Sequence, residues 1–134
     1  MATTTATITI NSTDLLSDEL SLSTTATLTE AGNSTGLTGT SGLGRKKLAS
    51  GDAQYTLFDG SNYTNNGAHK IYLKNTSTTA AEYFAIDINS ERVGKLYAGD
   101  WAFFPWDAGA DTSDIKIDPS ASDMVLEYML FTDD

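Results

Sequence analysis

The chain contains no cysteine, a single histidine and only two prolines. Without cysteine there are no disulfides, no thiolate nucleophile and no cysteine metal ligands, a composition that fits a reducing interior. One histidine leaves a zinc site short, because such sites need at least three protein ligands. Positive charge is scarce as well: eight Lys and Arg stand against eighteen Asp and Glu, a net charge of −10. That balance works against a nucleic-acid binder, which needs a basic footprint to displace counterions, and against binding to anionic membranes. No apolar run approaches the ~20 residues of a membrane span. Met1-Ala-Thr-Thr-Thr has neither a charged n-region nor an apolar h-region, so no secretory signal is expected. Four Asn-x-Ser/Thr sequons, at Asn11, Asn33, Asn62 and Asn75, are therefore taken as products of a Thr/Ser-rich composition.

What is present favours strands. Threonine is abundant while the helix formers Lys and Glu are sparse. The densest apolar stretch is Leu96-Tyr-Ala-Gly-Asp-Trp-Ala-Phe-Phe-Pro-Trp106, which holds both tryptophans and two of the five phenylalanines. Gly99-Asp100 is a turn signal, and the residues after it alternate, Trp101 and Phe103 against Ala102 and Phe104. A turn feeding a short, mostly buried strand is expected, ending or lying at an edge at Pro105, which has no N–H to donate. Residues 3–10 alternate Thr5, Thr7 and Thr9 with Ala6, Ile8 and Ile10, giving an edge strand or an arm that reaches a neighbour. Residues 12–19 carry capping residues and acids enough for one helical turn at most. Residues 20–29 alternate again, with Leu20, Leu22, Ala26 and Leu28 on one face. Residues 31–44 read as a long irregular loop of Gly, Ser, Thr and Asn. The basic run Arg45-Lys46-Lys47 then leads into a strand through Leu48, and a short strand spans 55–58.

In the second half, alternation is expected around His69-Ile71-Leu73, Phe84-Ile86-Ile88, residues 93–97, Ile115-Ile117 and Leu126-Tyr128-Leu130. Strands recurring every 10–15 residues without a helical period predict an all-β, antiparallel β-sandwich or jelly roll. It should be a single domain over residues 12–134, preceded by a Thr-rich strand or arm over residues 1–11.

Catalytic chemistry is thinly supplied. His69 lies on the apolar side of a strand, where a buried histidine with locally satisfied nitrogens is the commoner outcome. No Gly-x-Ser-x-Gly elbow supports a triad, and the glycines from Gly42 lack the spacing of a phosphate loop. Asp107, Asp111 and Asp114 offer three acids in one loop, an oxygen-rich candidate for calcium that lacks the Asp-x-Asp-x-Asp-Gly order. Two features suit binding. Arg45, Lys46 and Lys47 form either a contact for an acidic partner or a solvated strand edge blunted by lysine. Tyr63, Tyr97, Trp101 and Trp106 form either a sugar-stacking platform or core packing, with core packing the stronger alternative for Trp101 than for Trp106.

The run Lys70-Ile-Tyr-Leu-Lys-Asn-Thr76, followed by Phe84-Ala-Ile-Asp-Ile88 and Leu96-Tyr-Ala-Gly-Asp-Trp-Ala-Phe-Phe-Pro105, resembles small β-rich virion proteins of tailed bacteriophages. Val125-Leu-Glu-Tyr-Met-Leu-Phe131 and Leu28-Thr-Glu-Ala-Gly-Asn-Ser-Thr-Gly36 are similar too. The resemblance implies a β-sandwich or jelly-roll capsid decoration (cement) protein, made in the host bacterial cytoplasm and placed on the virion surface. It implies no enzyme activity and no cofactor. Its partners would be the major capsid protein or other virion proteins, with the chain itself a dimer or trimer. The partner-binding residues expected are Thr5, Thr7 and Ile8 on the N-terminal segment, Arg45, Lys46 and Lys47, and Trp106. The alternative is a carbohydrate-binding or fibre/tail accessory module using Trp101, Trp106 or Tyr63.

Overall fold

The computed structural model describes residues 2–109 and 111–133. The chain is all-β, and its strands are β1 (Thr5–Ser12), β2 (Leu20–Thr27), β3 (Gly39–Thr40), β4 (Gly44–Leu48), β5 (Tyr55–Phe58), β6 (Lys70–Asn75), β7 (Tyr83–Ile88), β8 (Glu91–Tyr97), β9 (Trp101–Pro105), β10 (Ile115–Pro119) and β11 (Met124–Thr132). Two short 3-10 turns, Gly60–Asn62 and Asp111–Ser113, connect them.

Three antiparallel sheets result. One is four-stranded in the order β5-β10-β7-β8, and one is five-stranded, with β3 and β4 both lying along β11, followed by β6 and β9. The third is the two-stranded ribbon β1-β2. The two larger sheets share one apolar core. Ile71, Leu73, Leu126 and Leu130 come from the five-stranded sheet, and Phe84, Ile86, Ile115 and Ile117 from the four-stranded one. Period-2 alternation drives this: in β6 every second residue is buried, as in β10. The sheets thus build a β-sandwich, the coarser of the two architectures expected.

At the corner where the chain passes from β8 to β9 it changes sheets. Gly99 takes a positive φ of 82° there, a conformation glycine adopts without steric cost. The backbone groups freed at the corner bind Asn75 at the end of β6. Gly99 N–H donates to the Asn75 carbonyl at 3.0 Å, and Asn75 N–H donates to the Asp100 carbonyl at 3.0 Å. The fully buried Asn75 side chain donates to the Leu96 and Glu82 carbonyls at 3.0 and 3.2 Å, and its oxygen accepts from Ser77 N–H at 3.0 Å. One amide therefore staples the two sheets.

Residues 13–18 form bends, within the limit of one helical turn at most expected there. Ser12 and Leu20 are paired across the ribbon, so the loop must close a hairpin, and Ser12 Oγ accepts from Leu15 N–H at 3.1 Å. Several expectations need correction. The loop expected over 31–44 contains the short β3, and the basic run lies within β4 itself. The aromatic strand β9 is not mostly buried. It is an edge strand whose Trp101 is 49% exposed, while Ala102, Phe103 and Phe104 are half-buried. Its alternation is as expected, but one of its two faces is the outside of the sandwich.

Candidate functional site

The N-terminal segment is neither an edge strand of the sandwich nor a single arm. Thr5 to Ser12 pair in unbroken register with Thr27 to Leu20, and among the described residues β2 pairs with no other strand. One face of this ribbon is hydroxylic: Thr7 and Thr25 share a 2.7 Å side-chain hydrogen bond, and Thr9 and Ser23 a 3.4 Å one. The other face carries Ala6, Ile8 and Ile10 opposite Ala26, Thr24 and Leu22. The ribbon's base is fastened to the body. Leu28 N–H donates to the Thr4 carbonyl at 2.8 Å, and Leu28 and Leu37 are buried. Gly36 admits the Ala2 carbonyl where any side chain would stand.

From this base the ribbon leans over the outer face of the five-stranded sheet and leaves a cleft of about 480 Å³. Ala6, Ile8 and Ala26 form its roof; Tyr72, Trp101 and Phe103 form most of its floor. Tyr72 Oη donates to Glu127 at 3.0 Å, and Arg45 Nε donates to the other Glu127 oxygen at 3.0 Å. The Arg45 bond, then the Tyr72 bond, hold the Glu127 carboxyl below its ordinary range. Burial and the adjacent carboxylate push the Tyr72 phenol up. The cleft is mostly apolar, with an exposed indole at its side and Thr7, Thr24 and Lys74 also on its lining.

The expected partner-binding residues separate into three places. Thr5 and Thr7 are exposed on the hydroxylic face of the ribbon, with Thr7 also reaching the cleft, and Ile8 roofs the cleft. The basic run divides by strand period: Arg45 and Lys47 point to the outer face, where Arg45 meets Glu127 and Lys47 lies 3.2 Å from Asp123. Lys46 points the other way, with Nζ 5.3 Å from the Tyr55 ring centroid. Trp106 is not presented to a partner at all. It is 3% exposed, its Nε1–H donates to the Ser113 carbonyl at 2.7 Å, and it packs on Tyr63, Phe58 and His69. Past Pro105 the chain turns inward, so the tryptophan next to the proline is the core one and Trp101 the exposed one. The four aromatics considered as a sugar platform do not share a surface: Tyr63 sits with Trp106, Tyr97 pairs with Tyr83, and Trp101 stands alone at the cleft.

His69 is fully buried. Its Nε2 lies 2.9 Å from the Thr64 carbonyl, so Nε2–H donates there. Its Nδ1 faces Asp133 Oδ1 at 3.8 Å, and among the described residues neither atom has a hydrogen-bond partner. Asp133 Oδ2 accepts from Ala68 and Ala31 N–H at 2.9 and 3.2 Å, tying the chain's last strand to two loops. Burial raises the Asp133 pKa, but those two N–H groups and His69 outweigh it and the net shift is downward. Asp87, gripped by Arg92 and Gln54, is also lowered. A carboxylate depressed in the folded state contributes its full stability above its unfolded value near 4, and loses it as pH falls through the folded value. The melting temperature should therefore fall as pH drops from about 5 to about 3. Asp133→Asn should melt lower at pH 7 and show a shallower acid slope, checked by calorimetry across that range.

For calcium, Asp107 accepts from Asn66 N–H at 3.3 Å and Asp114 from Gly60 N–H at 2.9 Å, so both fasten loops. The Asp111 side chain lies outside the described residues. Among the described residues no three metal-ligating side chains converge. No protein-family model matches the chain, and no curated protein or solved structure matches it either.

Proposed function

We propose that this chain is a non-enzymatic virion structural protein of a tailed phage, a decoration protein that binds the outside of the capsid and stabilises it. The β1-β2 ribbon is the element that joins the lattice, by adding a strand to a capsid protein. The observation that carries this reading is the ribbon's unguarded edges. Protein edges are normally blunted by lysine, proline, bulges or short length. Here two eight-residue strands, TATITINS and LSLSTTAT, contain no charge, no proline, no glycine and no bulge. An isolated two-stranded ribbon is marginal in water, and strand addition completes it. The resemblance of residues 70–76, 84–88 and 96–105 to small phage virion proteins is the second support for this reading.

Mixed with undecorated heads, the purified protein should co-sediment at a fixed ratio to the major capsid protein. Thr5→Lys/Thr9→Lys combined with Ser21→Lys/Ser23→Lys charges both edges at exposed positions. That variant should keep its melting temperature within a few degrees and lose co-sedimentation. Co-sedimentation that survives the four lysines would exclude the ribbon edges as the capsid contact.

A second reading, a carbohydrate-binding module on a fibre or tail, is favoured by one observation: the exposed indole of Trp101 beside an apolar cleft with Tyr72 and Lys74. A glycan array with Trp101→Ala as control separates it from the capsid role.

A further inference from the structure

The ribbon's tip and the sheet face it overhangs are complementary in a way that a single chain does not use. Cross-strand register places Arg45, Lys47, Lys70 and Lys74 on the outer face of the five-stranded sheet, with Val125, Met129 and Phe131 between them. Glu127 is the one acid among those outward strand residues, and Asp123 adds a second from the turn before β11. Two of these cations are paired within the chain, Arg45 with Glu127 and Lys47 with Asp123, and Lys70 Nζ donates to the Ala68 carbonyl at 2.6 Å near Asp133, so the face is rich in cations with a small positive excess in a chain whose net charge is −10. Half of all the chain's basic residues, four of eight, are gathered there. The apolar side chains between them are partly buried, and Phe131 packs on Phe103.

The tip has the opposite character. Leu15 and Leu16 are 72% and 59% exposed, and Ile10 and Leu22 at the ribbon's outer end are 45% and 47% exposed. Among them stand Asp14, Asp18 and Glu19, with no basic residue from Thr3 to Glu30. Four exposed aliphatics in a short stretch are unusual for a surface that stays wet. Only the base half of the ribbon covers its own sheet, through Ala6, Ile8 and Ala26. The strands run on past the cleft, and none of the residues from Thr9 to Ser23 lines it.

We infer that the tip of one copy docks on the outer sheet face of a second copy. Its leucines would cover Val125, Met129 and Phe131, and its acids would face Arg45 and Lys47. An apolar acidic tip and an apolar basic face, each in excess on the same chain, are satisfied together when two copies exchange them reciprocally about a two-fold axis. Elsewhere two copies at −10 repel each other, so this contact also fixes their relative orientation. It is separate from capsid binding through the ribbon edges: a chain that stays monomeric would leave that reading standing.

Sedimentation velocity on the purified full chain tests it. A concentration-dependent dimer that weakens with salt is expected. Leu15→Ser/Leu16→Ser should weaken it at least roughly tenfold in Kd. Asp14→Lys/Asp18→Lys should do the same from the tip, and Arg45→Glu/Lys47→Glu from the face; all these side chains are exposed or partly so, and unchanged melting temperatures would show that the variants fold. The deciding sample is an equimolar mixture of the two charge-reversed proteins. Each now carries tip and face of one sign, so each alone should be monomeric while the mixture forms a heterodimer. A native chain that remains monomeric at about 100 µM, a mixture that fails to associate, or a dimer abolished by the edge lysines but untouched by tip and face changes would each overturn the inference.

Discussion

Replacing Trp106 with alanine should lower the free energy of unfolding by about 3–5 kcal/mol, while the same change at Trp101 should cost about 1 kcal/mol or less. The contrast follows from position alone. Trp106 is buried among Phe58, Tyr63 and His69, with ring centroids 5.3–5.9 Å away, and its indole N–H is satisfied by the Ser113 carbonyl. Truncation would open a cavity under the turn that follows β9 and remove the indole hydrogen bond to the Ser113 carbonyl. Trp101 is half-exposed at the edge of the sheet, so water can take its place. Chemical denaturation of the two variants checks both values. Equal losses would mean that the two indoles do not occupy the environments described.

The second large effect concerns Asn75→Ala, expected to cost on the order of 3 kcal/mol and about 10 °C in melting temperature. The amide serves the carbonyls of Glu82 and Leu96 and the N–H of Ser77 in a site with no solvent access. Alanine would strand those backbone groups at the corner where the chain crosses between sheets, and each buried orphan costs about 1–3 kcal/mol. Asn75→Asp supplies a diagnostic control: it keeps the acceptor for Ser77 but loses the donor to the two carbonyls, so it should be no better than alanine. A loss under about 1 kcal/mol in both would show that water or a neighbouring group replaces the staple.

The parts of the fold that were legible are those where one face of a strand is wholly apolar. Ile71 and Leu73, and Ile115 and Ile117, alternate with polar, charged or aromatic neighbours, and period-2 burial makes such patterns unambiguous. Alternation in β2 identified a strand, but carried no information about its partner; its exposed Ser/Thr face and thin apolar face suit a ribbon as well as a sheet edge. The two tryptophans show a different limit. Size and apolarity favour burial of either, and what separates them is the direction the chain takes after Pro105, which is a tertiary property. Arg45-Lys46-Lys47 looked like one patch because three like charges are adjacent, yet in a strand adjacent residues face opposite sides, so only Arg45 and Lys47 act together. The basic face itself was hidden for the same reason. It is assembled from β4 and β6, which lie far apart in sequence and meet only through β11. The His69–Asp133 juxtaposition and the cleft under the ribbon likewise bring together distant segments with no local signal.

The most direct test of the proposed role is a single-particle electron microscopy reconstruction of the phage heads saturated with this protein. The account predicts density for the sandwich on the outer capsid surface, with β1 or β2 extended by a strand of the capsid protein. Density found only on the tail or fibres, or on the head with both ribbon edges facing solvent, would contradict it.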